Sequence, residues 1–218
     1  YVKAPIATYA DFKKEMLWKL GANRMDDSIK QHAKMWESVQ NPDGSFNSNY
    51  GHYWFGPQMG FWNVVMELIR DKDSRQAVIP MLSKDHITPE TIDKVCTTGV
   101  GFHIRNNELH MSVQMRSSDQ IFGLGTDIPT FSFLYRLVLA VLQDHYDIYA
   151  GRISITAMSS HIYERHFAMV EKILEEGAGN YQAVEMPWFP SSASALRMIA
   201  TRGKIDEPKS VVEEWLLS

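Results

Sequence analysis

A β-hairpin that begins directly after the only cysteine most constrains how this chain can fold. Residues 100–104 and 109–115 alternate apolar and polar side chains, which predicts two strands with one buried face. Asn106-Asn107 lies between them and favours a tight turn. Cys96 comes just before the first strand, and Arg116-Ser117 ends the second.

Further helix and strand patterns surround the hairpin without the regular alternation of a doubly wound fold. With 218 residues and 44% hydrophobic content, the chain is predicted to form one α+β domain over residues 1–218. Gly123 and Asp127 are expected in a glycine-rich loop, and the last forty residues in short strands and loops. Helices are predicted at 9–20, 28–39, 58–70, 128–146 and 162–176, and strands at 75–82 and 153–158.

Composition excludes several classes of protein. A net charge of −4 argues against a protein that coats nucleic acid, so no nucleic-acid partner is expected. A single cysteine excludes an intramolecular disulfide framework and favours a reducing compartment, which predicts a cytoplasmic protein. No apolar run is expected to cross a membrane, and the start of the sequence lacks the apolar region of a signal peptide.

Cys96 is the first candidate for chemistry. A lone cysteine is more often a buried structural thiol than a nucleophile. Its neighbours Asp93, Lys94, Thr97 and Thr98 are polar, however, and they suit an exposed nucleophile whose thiolate is stabilised nearby.

Other polar patterns offer anion and hydroxyl binding. Arg116-Ser117 and Ser74-Arg75 each combine a guanidinium fork with a hydroxyl, which suits phosphate, although an arginine at a strand end is usually a solvated charge. His161 and Tyr163, two residues apart, suit sugar hydroxyls. No HExxH or paired-cysteine pattern is present, so no metal is predicted.

Together these residues resemble the thymidylate synthase family from about Glu15 to about Phe167. Glu15 alone would be an ordinary solvated helix residue, but it opens a series of motifs whose order and intervals match the family. The matching segments are Glu15-Met16-Leu17-Trp18, Trp36, Tyr50-Gly51, Ser74-Arg75-Gln76, Cys96 with Phe102, Arg116-Ser117-Ser118-Asp119, Gly123 and His161-Ile162-Tyr163.

The resemblance implies a mixed sheet packed against helices, with a sheet face forming the interface of an obligate homodimer. It also implies a pyrimidine nucleoside monophosphate as substrate, 5,10-methylenetetrahydrofolate as co-substrate, and no metal. The implied roles are Cys96 as nucleophile; Glu15 with water for proton transfer; Arg116, Ser117 and, across the interface, Arg75 for phosphate; His161 and Tyr163 for ribose; and Trp36, Asp119 and Gly123 for folate.

Asp127 departs from the family, which reads the base with an asparagine at this position. Uracil presents an N3–H donor and an O4 acceptor, which an amide satisfies. Cytosine presents N3 as acceptor and an N4 amino group as donor. An ionised carboxylate only accepts, so it suits N4–H and a proton held on N3. Asp127 therefore favours a cytidylate and belongs to both the catalytic and the base-binding set.

Three more departures lie around the expected reaction centre: Thr97 in place of histidine, Asp93 in place of leucine, and Val39 in place of the second folate-side tryptophan. Phage deoxycytidylate hydroxymethylases are similar at all three. A small residue at Val39 leaves room for water beside a methylene intermediate. The sequence thus predicts a cytidylate (dCMP or CMP) 5-hydroxymethyltransferase.

Two alternatives stay open: a pyrimidine C5-methylase acting on cytidylate or deoxyuridylate, and a catalytically silent nucleotide- or RNA-binding relative. Gln76 replaces one arginine of the family's pair, which weakens the expected phosphate clamp. The family's N-terminal phosphate loop has no counterpart in this sequence, and the segment Trp215–Ser218 does not match the synthase tail.

Overall fold

The structure, a computed structural model, describes residues 9–176 and 186–218. Within them, a mixed four-stranded sheet packs against helices, which confirms the predicted α+β class. The helices are α1 (Tyr9–Gly21), α2 (Met35–Val39), α3 (Gly51–Phe55), α4 (Gly60–Arg70), α5 (Gly123–Leu142), α6 (Phe167–Glu176), α7 (Ser192–Ala200) and α8 (Val211–Leu217). The strands are β1 (Val78–Pro80), β2 (Thr97–Arg105), β3 (Glu108–Met115), β4 (Ser118–Asp119), β5 (Tyr149–Ala157) and β6 (Ser160–His161).

The predicted hairpin is present as β2 and β3. Asn106 and Asn107 both have positive φ, 53° and 59°, which is the backbone that a two-residue hairpin turn of this hand requires. The sheet order is β1-β2-β3-β5, with β5 parallel to β3. At the open end of the hairpin Thr97 pairs with Met115. The residues on either side, Cys96 and Arg116, are therefore neighbours.

Helix α5 forms the centre of the core, and it begins five residues before the predicted start at Ile128. Gly123 and Asp127 therefore lie on its first turns, and the expectation that they occupy a loop is wrong. The helix also corrects the expectation about apolar runs, because its length and composition match a membrane span. Just over half of its apolar window is buried inside the protein, as in a core helix.

Other elements also differ from the sequence-based expectation. The helix expected at 28–39 is divided into a short 3₁₀ turn and α2, because its middle residues are exposed and polar and little packing holds them in a helix. The strand expected at 75–82 shrinks to Val78–Pro80. In the turn before it, the Gln76 amide donates to Ser74 Oγ, and Pro80 has no amide to extend the ladder.

The expectation of short strands and loops at the C-terminal end is also wrong for the part that the structure describes. Two helices occupy most of it, α7 and α8, and a serine caps each of them. Ser191 Oγ accepts from the Ser194 amide, and Ser210 Oγ accepts from the Glu213 amide. Residues 179–185 of that stretch, like the start of the chain at residues 1–8, lie outside the described residues.

Helix α1 packs against α3 at an unusually close approach. A Cβ atom built on Gly51 would lie 1.5 Å from the Lys19 carbonyl oxygen, so only glycine fits there. One face of α1, including Phe12 and Met16, joins the main core. Trp18, on another face, joins a smaller aromatic cluster with Ile29, Trp36 and Phe46.

Candidate active site

Cys96 lies at the mouth of the hairpin, and the Arg116 side chain holds the loop around it. The Arg116 guanidinium donates to the carbonyl oxygens of Val95 at 3.0 Å and Lys94 at 2.5 Å, and its Nη2 lies 3.7 Å from Cys96 Sγ. The Arg116 amide also donates to the Cys96 carbonyl at 2.8 Å. The thiol and the guanidinium are thus set side by side by the hairpin register and by the loop carbonyls.

The thiol is partly buried rather than exposed. Burial raises the pKa of the Cys96 thiol, the carboxyls of Asp127 and Asp93 act in the same direction, and the Arg116 guanidinium opposes the rise. The cation expected to stabilise the thiolate is therefore present, since it is Arg116. Burial nevertheless raises the thiol pKa by more than the Arg116 guanidinium lowers it.

Asp93 anchors the loop that leads to the cysteine. Its buried carboxylate accepts hydrogen bonds from the Ser48 amide at 2.7 Å and from the Ser48 hydroxyl. Asn47 Nδ2 donates to the Asp93 carbonyl, and Asn41 Oδ1 accepts from the amides of Ile92 and Asp93. This departure from the family pattern thus has a local function, since the polar network fixes the backbone three residues before the nucleophile.

Glu15 belongs to a buried polar row that the sequence did not reveal. Its carboxylate lies 2.6 Å from Lys19 Nζ, and the same ammonium donates to Thr130 Oγ1 at 3.3 Å. Lys19 also lies over the ring of Tyr50, 5.1 Å from the ring centre. The Tyr50 hydroxyl accepts from Thr97 Oγ1, so the row ends at the residue after the cysteine.

Asp127 lies where this row meets the first turn of α5. Burial raises the pKa of Asp127 to about 7, with Glu15 and Asp119 raising it further and Lys19 lowering it. Near neutral pH the carboxyl therefore exists in comparable amounts of its protonated and ionised forms. The charge of Asp127 also contributes to the raised pKa values of Tyr50 and Cys96, which places it close to the thiol.

A two-stranded sheet brings Asp119 and His161 to the same place. β4 pairs with β6 in parallel, with Asp119 opposite His161. The Asp119 carboxylate accepts from the amides of Ile121 and Phe122, just before α5 begins. Gly123 lies against Asp119 and Asp127, because a Cβ atom there would be 3.3 Å from Asp119 Cβ and 3.9 Å from Asp127 Oδ2. The His161 and Tyr163 rings meet edge to face at 4.9 Å, with Tyr163 exposed.

The remaining predicted site residues lie apart from this centre within the single chain. Arg75 is exposed at the edge of the sheet, before β1, and Ser117 is half-buried between β3 and β4. Trp36 is buried in the small cluster, with its ring centre 5.0 Å from that of Trp18, and the partly buried Val39 packs on that cluster. The other predicted residues lie around one centre, which Ser117 adjoins through its neighbour Arg116. These residues are Glu15, Cys96, Arg116, Asp119, Gly123, Asp127, His161 and Tyr163.

Sequence reasoning missed Lys19, Thr130 and the hydroxyl contact of Tyr50. The available signal was the position of Lys19, which follows Phe12 by seven residues and Met16 by three and so falls on the apolar stripe of α1. A lysine at such a position is either badly placed or functional. The side chain is 3% exposed, so it is held inside the protein.

The family model described as thymidylate synthase matches residues 6–198. The chain belongs to the thymidylate synthase family. This confirms the resemblance drawn from the motifs between Glu15 and Phe167.

Named relatives within the family fall into two groups. The deoxycytidylate 5-hydroxymethyltransferases of Enterobacteria phages T4 and T6 are each 30% identical over 147 residues, which is 63% of this chain and 60% of each relative. The thymidylate synthase of Fusobacterium nucleatum is 25% identical over 169 residues, 73% of this chain and 57% of the relative. The matched region thus spans about 60% of the length of these curated relatives.

The fold agrees with a solved member of the family. The thermostable thymidylate synthase A from Bacillus subtilis matches with a TM-score of 0.66 and 18% identity, over 84% of this chain and 67% of that one. At this identity the match speaks to the fold alone, and it confirms the expected thymidylate synthase-like arrangement of sheet and helices.

Proposed function

We propose that the chain is a cytidylate 5-hydroxymethyltransferase that acts on dCMP or CMP with 5,10-methylenetetrahydrofolate. Family membership supports the broader class, folate-dependent one-carbon transfer to a pyrimidine nucleotide. The single observation that carries the finer proposal is the buried carboxyl of Asp127, whose pKa is raised to about 7 and whose charge acts on the Cys96 thiol. The similarity to phage deoxycytidylate 5-hydroxymethyltransferases supports the same substrate class.

A carboxyl at residue 127 that titrates near neutral pH explains a preference for cytosine over uracil. In its protonated form the carboxyl donates to N3 of cytosine and accepts from the N4 amino group. In its ionised form it still accepts from N4–H and holds a proton on N3, which makes C6 more electrophilic. Uracil instead presents O4, and an oxygen acceptor facing an ionised carboxylate is repelled. Discrimination against deoxyuridylate is therefore expected to increase as the pH rises through about 7.

The proposed chemistry begins at Cys96. Its thiolate forms a bond to C6 of the pyrimidine, and the C5–C6 electron pair then bonds to the one-carbon unit that the folate supplies. Glu15, through water, accepts the proton that leaves C5, and the bond between the one-carbon unit and the folate nitrogen breaks. Tetrahydrofolate leaves, and C5 carries an exocyclic methylene group. Water adds to that methylene to give a hydroxymethyl group, and expulsion of the Cys96 thiolate restores the C5–C6 double bond.

Raising the thiol pKa by burial is compatible with this first step. The Arg116 guanidinium, 3.7 Å from Sγ, favours the thiolate, and proton uptake by N3 beside Asp127 increases the electrophilicity of C6. The reaction therefore pairs a buried, basic sulfur with a base that is activated as it binds.

Val39 and Asp119 are the residues proposed to face the folate. Asp119 offers a partly exposed carboxylate beside Gly123, which fits the N–H donors of a pterin. Val39 lies partly exposed on the Trp18–Trp36 layer, and its small side chain supports access of water, and so hydroxymethyl rather than methyl transfer. Trp36, which is itself buried, would act as the support beneath this surface.

The proposed nucleotide site also includes a second subunit. His161 and Tyr163 are assigned to the ribose, and Arg116 with Ser117 to the phosphate. Arg75 is exposed, and no hydrogen bond or ion pair engages it among residues 9–176 and 186–218, which supports a role across a homodimer interface. The sheet face that carries the stacked rings of His103 and His110 is the proposed interface. A cytoplasmic location is part of the same proposal.

The test is a product assay with 5,10-methylenetetrahydrofolate and, separately, CMP, dCMP and dUMP, read by mass spectrometry. A hydroxymethyl product from a cytidylate supports the proposal, and the preferred sugar identifies the substrate. A methyl product would show that the protein is a methylase, and release of C5 tritium without product would show an incomplete reaction. No tritium release from any nucleotide, with binding retained, would favour the silent relative.

The matched variant is Asp127→Asn, which restores the amide that the family uses to read uracil. If Asp127 reads the base, this variant loses activity on cytidylate and gains binding of dUMP. Unchanged preference would overturn the assignment of Asp127 while leaving the reaction class intact.

A further inference from the structure

Lys19 is a buried cation that the proposed chemistry has not used. Its side chain is 3% exposed, and the three protons of its ammonium face three partners: the Glu15 carboxylate at 2.6 Å, Thr130 Oγ1 at 3.3 Å and the ring of Tyr50 at 5.1 Å. A pair of this spacing on an exposed helix adds little to stability. Inside the protein it also carries a desolvation cost, so stability alone does not explain it.

The surroundings of Lys19 contain more acid than base. The acidic groups in this region are Glu15 on its own helix, Tyr50 just before α3, Asp119 on β4 and Asp127 on α5. Lys19 lowers the pKa of Asp127, whereas Glu15 and Asp119 raise it. On the other elements packed against α1, Glu213 pairs with Arg197 and Lys30 pairs with Asp27. Two further groups are Glu214 of α8, which is exposed, and His52 of α3, whose pKa is lowered by burial.

We propose that Lys19 is a positioning residue for proton transfer at this site: its buried ammonium, held by Thr130 and the ring of Tyr50, fixes the Glu15 carboxylate in place as the proton acceptor and opposes the negative charges around Asp127. An ammonium in direct contact favours the charged form of the carboxylate it touches. Asp127 is not in contact with Lys19 and receives only the weaker, longer-range effect. Lys19 therefore acts on the two carboxyls in different ways, by direct contact with Glu15 and through its longer-range charge on Asp127.

The backbone supports this assignment. The Lys19 carbonyl is pressed against Gly51, which fixes the backbone of α1 at this point, and the contacts of the ammonium itself fix the side chain. The inference rests on the proposed function, since it concerns the proton that leaves C5.

The experiment compares four variants of the pair, Lys19→Met, Lys19→Arg, Glu15→Gln and the double variant Glu15→Gln/Lys19→Met. The control is Lys30→Met, which removes a lysine that forms a similar helical pair with Asp27 outside this site. The first readout is tritium release from C5 of cytidylate as a function of pH. For Lys19→Met we expect about a tenfold loss at neutral pH and a shift of the acidic limb upward by about one unit, with Lys19→Arg largely restoring the profile. Lys30→Met should match the parent protein.

The double variant separates positioning from folding, because it leaves no unpaired buried carboxylate. If Lys19 acts through Glu15, the double variant releases tritium no more slowly than Glu15→Gln alone. Two results would overturn the proposal. One is a Lys19→Met pH profile that falls in height while its acidic limb stays at the same pH. The other is a double variant whose loss of tritium release equals the product of the losses of the two single variants.

A second readout keeps the test independent of the proposed reaction. The Asp127 carboxyl is titrated by carbon NMR in the parent protein and in Lys19→Met, and loss of the cation should raise its midpoint by about one unit. An unchanged midpoint would overturn the proposal even in an active enzyme. If the parent protein releases no tritium, the proposed function fails, and the midpoint alone then decides the role of Lys19.

Discussion

Asp127 makes the stability of the protein depend on pH in a direction opposite to most carboxylates. Its pKa is about 7 in the folded chain and 3.8 in the reference state, so the native state holds the proton more tightly. Stability from this group is full below about pH 4 and is lost as the pH rises through about 7. The shift of about 3 pKa units corresponds to roughly 4 kcal/mol at most. Because the Asp127 side chain keeps some contact with solvent, we expect roughly 2–4 kcal/mol.

Asp127→Asn removes this dependence, because an amide does not titrate. We expect the variant and the parent to have similar free energies of unfolding near pH 4, and the variant to be more stable by roughly 2–4 kcal/mol near pH 8. Urea denaturation followed by tryptophan fluorescence measures the difference at several pH values, since the chain has six tryptophans. Asp27→Asn is the control, because its exposed carboxyl has a lowered pKa and should show no such rise.

A stability difference between Asp127→Asn and the parent that stays constant from about pH 4 to about pH 8 would refute the reasoning. It would mean that the carboxyl is solvated in the folded protein. The proposal that Asp127 shares a proton with the base would then lose its physical support.

Three further predictions concern the nucleophile, the helix packing and the interface. Cys96→Ala should abolish C5 tritium release while nucleotide binding, measured by calorimetry, is retained; measurable turnover would contradict the nucleophile assignment. Gly51→Ala should destabilise the protein by about 3 kcal/mol in urea, because its Cβ would lie 1.5 Å from the Lys19 carbonyl, whereas an equal stability would contradict that packing. Inactive Arg75→Ala and Cys96→Ala chains, mixed and reassociated, should regain activity if Arg75 acts across the interface, and mixtures that stay inactive would exclude that.

Local sequence signals were sufficient for the hairpin. Asn106-Asn107 tolerates positive φ, and alternation marks the buried faces of both strands, so the turn, the register and the proximity of Cys96 to Arg116 follow from nearby residues. The motifs likewise sufficed for the family, which the match over residues 6–198 confirms.

The start of α5 was missed because the contacts that stabilise it are not visible in the apolar periodicity of the helix. Gly123 and Gly125 weaken helix propensity, which favours a loop in the sequence. In the structure, the Asp119 carboxylate accepts from two amides ahead of the helix, and the Thr126 hydroxyl donates to the Phe122 carbonyl. These short-range contacts between side chains and backbone outweigh helix propensity at the point that sets the position of Asp127.

Lys19 was missed for a related reason. Its identity is visible in the sequence, but its partners Thr130 and Tyr50 come from segments 111 and 31 residues away. No local pattern connects them, and Glu15 alone read as a solvated helix residue. The polar row exists only when α1, α3 and α5 are packed together.

The contact between Gly51 and the Lys19 carbonyl separates the shape of the site from its charge. The backbone of α1 is held there by main-chain atoms, so its position does not depend on which side chain residue 19 carries. A single codon change at that position can therefore alter the protonation of the site without moving the helix. Residue 51, in contrast, must remain glycine. In this fold the chemistry of the site can therefore change by substitution at position 19, whereas a substitution at position 51 would disturb the packing of α1 on α3.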